Sequence, residues 1–228
     1  MKKIIMSVLA GLFVMQAQAG GNDDPLLSSL YVEQLEWRED DEVVWDAEGW
    51  ICKDRDKLWI KTEGEWTSDA TEEFETQVLW HRAISPFWNL ETGWRGDWQP
   101  ETRRSWFAFG ISGLAPGFIE TQLTAFVADG RSAARLKASH EAALTQRWIL
   151  VPKLEIDWYS DTDERNEIGD GVSELELSVR LHYRVRPDLL PYVGIAYTAL
   201  YGETGDFAEA EGERDRNLQV LAGLSFWF

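Results

Sequence analysis

The groups in this chain with the richest ligand chemistry are three histidines, His81, His140 and His182, set among 40 Asp and Glu and a single thiol, Cys52. Imidazole and carboxylate together suit divalent transition metals, so a metal site arises only where the fold turns such groups towards one another. No His-x-His, His-Glu-x-x-His or Gly-x-Ser-x-Gly occurs, so neither a local metal motif nor a serine nucleophile motif is present and no enzyme is expected. Asp161-Thr162-Asp163 lacks the glycine and following ligands of a calcium loop and reads as a solvated acidic loop. Cys52 cannot form an internal disulfide, and nothing around it marks an activated thiol, so it reads as a tolerated residue near a short turn.

The elements that must position these groups are strands. From Glu174 to Val185, Leu175, Leu177, Val179, Leu181, Tyr183 and Val185 share one face, while Glu174, Glu176, Ser178, Arg180, His182 and Arg184 share the other. Segments of this kind, about ten residues long and bounded by turn residues, recur near 29–38, 42–51, 57–66, 73–83, 87–97, 104–113, 117–128, 132–143, 147–159, 173–186, 191–202 and 217–228, and no helical period stands out. The first alternates poorly, since Glu33 falls on the face of Leu35 and Trp37, so ten strands also fit. An even number suits a closed antiparallel transmembrane β-barrel, whose closure removes exposed edges.

Connections and aromatics agree with a barrel. Short turns at Ser85-Pro86, Leu114-Ala115-Pro116, Thr145-Gln146 and Pro187-Asp188 alternate with other connections, two of them long and acidic, near 160–172 and 203–216. Short periplasmic turns and longer outer loops have this pattern, and counting back twelve strands puts both termini in the periplasm. Trp148 and Trp158 share a face ten residues apart; at about 3.4 Å per residue and a tilt of roughly 40° they are about 26 Å apart in height, close to the apolar band of such barrels. The closing run Gly223-Leu224-Ser225-Phe226-Trp227-Phe228 is similar to the C-terminal signal of outer-membrane proteins.

At the other end, Lys2 and Lys3 precede an apolar run from Ile4 to Met15 and then Ala17-Gln18-Ala19, the pattern of a secretory signal peptide over 1–19. No run approaches the roughly 20 apolar residues of a helical span, and Gly20-Gly21 at the cleavage point rather than cysteine argues against a lipid anchor. The expected organisation is a leader at 1–19, a short periplasmic segment at 20–28 and an outer-membrane barrel at 29–228. The acidic excess, 40 Asp and Glu against 22 Lys and Arg, argues against a nucleic-acid partner and leaves outer-membrane lipid as the expected surroundings.

If the apolar face meets lipid, the other parity lines the lumen with Glu63, Glu65, His81, Glu91, Arg95, Arg135, Lys137, Lys153, Glu155, Asp157, Arg180 and His182, among others. Buried charges of both signs are expected to pair across a barrel this narrow. The alternatives are a cation path or metal sites, for which His81, His182, Glu63 and Glu65 are the inward candidates. His140 takes the opposite parity and is best placed near a rim.

Several blocks, in order, resemble the copper resistance protein B family of outer-membrane proteins. They are Trp45-Asp46-Ala47-Glu48-Gly49-Trp50, Leu58 to Glu65, Ile84-Ser85-Pro86-Phe87-Trp88, Phe109 to Pro116, Thr121 to Val127, Leu144-Thr145-Gln146-Arg147, Ser173 to Leu177 and Pro191-Tyr192-Val193-Gly194. The resemblance implies a periplasm-facing outer-membrane protein that contributes to copper resistance by binding, sequestering or exporting copper ions, with a periplasmic multicopper oxidase or copper carrier as partner. Family members often carry a Met- and His-rich segment before the barrel. Here Met1, Met6 and Met15 all fall within the expected leader, so the soft thioether ligands suited to Cu(I) are missing from the rest. A small-solute or ion-selective porin without a copper role is the competing expectation, and a purely structural barrel that anchors periplasmic partners is the third.

Overall fold

The computed structural model describes residues 26–39, 42–53, 55–66, 71–98, 103–212 and 214–228. The leader read at 1–19 and residues 20–25 lie outside the described residues. The strands are β1 (Leu27–Arg38), β2 (Val43–Lys53), β3 (Asp56–Trp66), β4 (Thr71–Ala83), β5 (Trp88–Trp98), β6 (Arg103–Ala115), β7 (Ile119–Ala128), β8 (Arg131–Ser139), β9 (Ala142–Ala143), β10 (Trp148–Tyr159), β11 (Gly171–Tyr183), β12 (Leu189–Leu200) and β13 (Arg216–Trp227). β8 and the two-residue β9 are two parts of one stave, because both pair with β10. Every stave is antiparallel to its sequence neighbours, and β1 pairs with β13. The result is a closed up-and-down barrel of twelve staves.

The poor alternation of the first segment has a local cause. Register against β2 shifts between Val32 and Gln34, and against β13 between Val32 and Leu35, so one extra residue is inserted at Glu33. A bulge of this kind exchanges the faces of the residues after it. Tyr31 therefore faces the lumen before the bulge, and Gln34, Glu36 and Arg38 face it afterwards. Twelve staves, not ten, follow.

The tight turns at one end share a device. Ser85 Oγ accepts from the backbone N–H of Phe87 (3.3 Å) and Trp88 (3.0 Å), and Thr145 Oγ1 accepts from Arg147 (3.2 Å) and Trp148 (3.0 Å). Each hydroxyl mimics a backbone acceptor and fixes a reversal that begins on an apolar residue and ends on tryptophan. The first and last strands meet at this same end, where Leu30 N–H donates to Phe228 O (3.1 Å) and Phe228 N–H to Leu30 O (2.8 Å). Short turns mark it as the periplasmic end.

The opposite end differs from expectation in one respect. The connection near 203–216 holds an α-helix, α1 (Glu203–Glu211), closed by Gly212 in the left-handed conformation. It leans on the loop after β10: Gly169 N–H donates to Thr204 Oγ1 (2.8 Å), and Thr162 Oγ1 donates to Glu203. A nine-residue helix with almost no apolar face gives no periodic signal, because contact between two loops holds it rather than burial. Among the described residues no helix is long and apolar enough to cross a membrane.

The outer wall is apolar. Leu58, Ile60, Leu90, Phe109, Ile111, Leu123, Leu177, Val179, Val193, Ile195, Leu218 and Val220 are all exposed. In water such a belt would be a large aggregation surface; against lipid it is the required one. Exposed aromatics lie above and below it: Phe87, Phe118 and Trp148 near the short-turn end, Trp37, Trp98 and Trp158 near the other. The Trp148–Trp158 spacing thus reaches both interfaces, as amphipathic rings prefer.

Packing inside the barrel explains one of the C-terminal glycines. A Cβ on Gly223 would lie 2.6 Å from the Tyr192 ring and hydroxyl and 2.7 Å from Leu35 O. Tyr192 can therefore lie across its cross-strand partner and donate its hydroxyl to Glu36 Oε2 (3.1 Å). Gly223→Val is expected to displace Tyr192 and cost about 1–3 kcal/mol, the usual range for overpacking. A lower urea midpoint for the refolded barrel checks this; an unchanged midpoint would refute it.

Candidate functional site: the barrel interior

Two cavities occupy the lumen. A cavity of about 750 Å³ faces the short-turn end, and one of about 870 Å³ faces the loop end. Gln34, Asp46, Glu63, Arg135, Lys137 and Lys153 line both, so they form the partition between them.

That partition is a charge network. The Arg135 guanidinium pairs with Glu63, with Glu75 (3.1 Å), with Glu155 (3.3 Å) and with Asp157 (2.8 Å). Lys137 holds Glu63 and Glu155, and Arg95 joins Glu75 (2.9 Å) to Asp97 (2.7 Å). Lys153 sits more loosely, 3.9–4.0 Å from Glu33, Asp46 and Glu155. Each charge of this layer faces at least one of opposite sign, which is the condition for keeping ions in so narrow an interior. A second network on the other wall centres on Glu36, which is fully buried and accepts from Arg38 (2.9 Å) and from Arg180 (3.0 and 3.1 Å).

Part of the interior is apolar, which parity alone did not suggest. Leu79, Trp106, Ala108, Phe126 and Ala133 form a buried cluster with Trp59 and Tyr159 packed against it. Arg95 lies 4.5 Å over the Phe126 ring, and Trp106 donates Nε1–H to Asp97 Oδ2 (2.6 Å). Trp59 and Trp106 are thus interior residues, whereas the girdle tryptophans lie outside.

The nominated ligands separate into two groups. His81 and His182 both line the short-turn cavity. His81 is 2% exposed and stacks on Trp59 with ring centroids 4.6 Å apart. Its Nε2 is 3.3 Å from Glu91 Oε2, yet neither ring nitrogen makes an aligned hydrogen bond. Glu91 is held in place by Thr124 Oγ1 (2.6 Å) and Gln122 Nε2 (3.0 and 3.2 Å), and Gln122 accepts in turn from Lys61 (3.1 Å). His182 stacks on Tyr192 at 4.6 Å. Glu63 belongs to the partition, and Glu65 lines the loop-end cavity. The four are therefore not assembled at one point. Among the described residues no group of three or more His, Cys, Asp or Glu is gathered closely enough to hold a metal by itself.

The remaining candidates fall as follows. His140 marks the break between β8 and β9 at the short-turn rim, donating Nδ1–H to Phe118 O (3.0 Å). Cys52 is buried next to the β2–β3 turn. Asp163, read from sequence as part of a solvated loop, is instead 5% exposed and paired with Arg104 and Arg131. His81 and Glu91 are both legible as inward-facing, but their adjacency is not; only the pairing His81↔Glu91 brings carboxylate and imidazole together.

Comparison with known proteins agrees with this architecture. A family model described as copper resistance protein B precursor (CopB) matches residues 26–228. Copper resistance protein B of Escherichia coli is 39% identical over 211 residues, covering 91% of this chain and 71% of that protein. The copper resistance protein B homolog of Pseudomonas syringae pv. tomato (strain ATCC BAA-871 / DC3000) is 36% identical, covering 91% of this chain and 72% of that protein. Among solved structures, the NanC porin superposes with a TM-score of 0.56 at 10% identity, covering 88% of this chain and 99% of its own. The KdgM porin in complex with disordered oligogalacturonate does so with a TM-score of 0.51 at 10% identity, covering 89% and 99%. At such identities the likeness to the porins is one of fold. With its lipid-compatible belt, paired interior charges and match over residues 26–228, the chain belongs to the copper resistance protein B family and is an outer-membrane β-barrel.

Proposed function

We propose that this barrel contributes to copper resistance by holding copper ions, as Cu(II), in its periplasm-facing cavity, with His81 as the imidazole ligand, Glu91 as the adjacent carboxylate and His182 as a separate imidazole on the opposite wall of the same cavity. The observation that carries this reading is His81, a buried imidazole beside a carboxylate with no hydrogen bond at either nitrogen. Buried polar groups are normally satisfied, and one that is not invites an additional partner. No methionine lies among the described residues, and imidazole with carboxylate favours Cu(II) over Cu(I).

The charged partition supports sequestration over passage through the barrel, since a cation entering from the periplasm meets Arg135, Lys137 and Lys153. A periplasmic multicopper oxidase or copper carrier would exchange copper at the short-turn mouth. The role is binding, not catalysis. Glu63, held by Arg135 and Lys137, serves the partition, and Glu65 serves the outer cavity.

Calorimetry of Cu(II) binding to the refolded barrel tests this. Stoichiometric binding is expected, weakened at least roughly tenfold by His81→Ala and again by His182→Ala, as loss of a ligand or its support does. Glu65→Gln is expected to leave it unchanged. Equal binding by the double histidine variant would end this assignment. Copper sensitivity of a deletion strain without binding by the purified barrel would favour export or a partner-held ion instead.

A further inference from the structure

The partition and its cavities do not use a cluster of four arginines at the loop end. Arg103, Arg104, Arg131 and Arg165 converge with Thr162, Asp163, Glu164 and Asn166 around a cavity of about 480 Å³ at the loop end. Arg103 and Arg104 open β6, Arg131 opens β8, and Arg165 comes from the loop after β10. Asp163 organises the group: its carboxylate takes Arg104 and Arg131 (2.8 Å), accepts from Asn166 Nδ2 (2.7 Å), and its backbone bridges to Ile168. Arg103 and Arg165 have no carboxylate within ion-pair distance among the described residues. Four guanidinium groups thus face two carboxylates, one of which is already spent on two of them.

The height of this cavity in the membrane matters as much as its charge. Arg103 lies 5.5 Å over the ring of Trp98, which is exposed on the lipid side in the outer aromatic girdle. Girdle tryptophans sit at headgroup level, so the cavity lies where the outer leaflet carries its headgroups. We infer that Arg103, Arg104, Arg131 and Arg165 form a phosphate-binding site that takes the phosphorylated headgroup of an outer-leaflet glycolipid. Arginine forks match phosphate oxygens in pairs, and an accessible cluster of them with excess positive charge recognises little else in that layer. Free inorganic phosphate shares this chemistry, and the test separates the two.

The refolded full chain is equilibrated in detergent micelles doped with bisphosphorylated lipid A, or with lipid A stripped of both phosphates, and the lipid retained per barrel is measured. Inorganic phosphate is titrated separately by calorimetry. Saturable retention of the phosphorylated lipid alone, lowered about tenfold or more in Arg103→Gln/Arg165→Gln, is the expected result. That variant spares the Asp163 pairs, and heat-modifiable migration on gels confirms that it still folds. Tight binding of inorganic phosphate, lost in the same variant, would support the site with a soluble ligand. Retention that ignores the phosphates, or that the variant does not change, would overturn the proposal.

Discussion

Arg135→Ala/Lys137→Ala is expected to turn a barrel without resolved single-channel steps into a cation-selective channel. Arg135 alone spans four carboxylates on β3, β4 and β10, and Lys137 spans two of the same set. Without them the two cavities merge across a ring of Glu63, Glu155 and Asp157, tempered only by Lys153 and Arg95. Rings of carboxylates pass cations and exclude anions, so reversal potentials in a salt gradient should shift towards the cation limit, and conductance should rise by roughly tenfold or more. The charges left behind destabilise the barrel, yet the outer belt and the backbone ladder around it are untouched, so heat-modifiable migration should persist. Planar bilayers decide the matter. If the double variant shows no steps, the apolar cluster of Leu79, Trp106 and Phe126 closes the lumen and the charge layer is only its neighbour.

The second large effect is on stability. Glu36→Ala strands Arg180 with its main acceptor gone, takes from Arg38 one of its three carboxylates and leaves the Tyr192 hydroxyl without its partner. Removing one member of a buried ion cluster costs about 3–5 kcal/mol, because the remaining charge stays desolvated. Glu36→Gln keeps the shape and part of the hydrogen bonding and should cost distinctly less. Adding Arg180→Met to Glu36→Ala should recover part of the loss, since the two side chains form one network and their effects do not add. Urea unfolding of the barrel in lipid vesicles measures all three. Equal midpoints for wild type and Glu36→Ala would mean that water reaches this cluster freely and that the pairing contributes little.

The second prediction depends on the bulge at Glu33. In a regular β1, Glu36 and Arg38 would face lipid and Leu35 and Trp37 the lumen, exchanging a paired network for exposed charge. The bulge is also the point at which sequence and structure part company most informatively. Period-two alternation located the other strands to within a few residues, because each crosses the same apolar band and has one lipid-facing and one lumen-facing side. A single inserted residue leaves composition unchanged but reverses parity, so from the sequence the first segment merely looked poor.

What the sequence by itself determined is the class of the molecule: a barrel with short turns at one end, girdle tryptophans set by band thickness, and an interior of both charges. It also carried the family resemblance, block by block, including the turns at Ser85 and Thr145 whose hydroxyls fix the reversals. These features are local or periodic, and local chemistry is written residue by residue. Only the tertiary structure decided which inward charges meet, because pairing across a lumen depends on stagger between strands far apart in sequence, as with Glu36 and Arg180. It decided that His81 meets Glu91 while Glu63 is taken by Arg135 and Lys137, and that Trp59 and Trp106 turn inward. It also gathered Arg103, Arg104, Arg131 and Arg165 around a buried Asp163. Arg165 lies two residues from that carboxylate, but the other three arginines come from β6 and β8, far from it in sequence; the loop after β10 folds back onto the rim, and that closure makes the cluster.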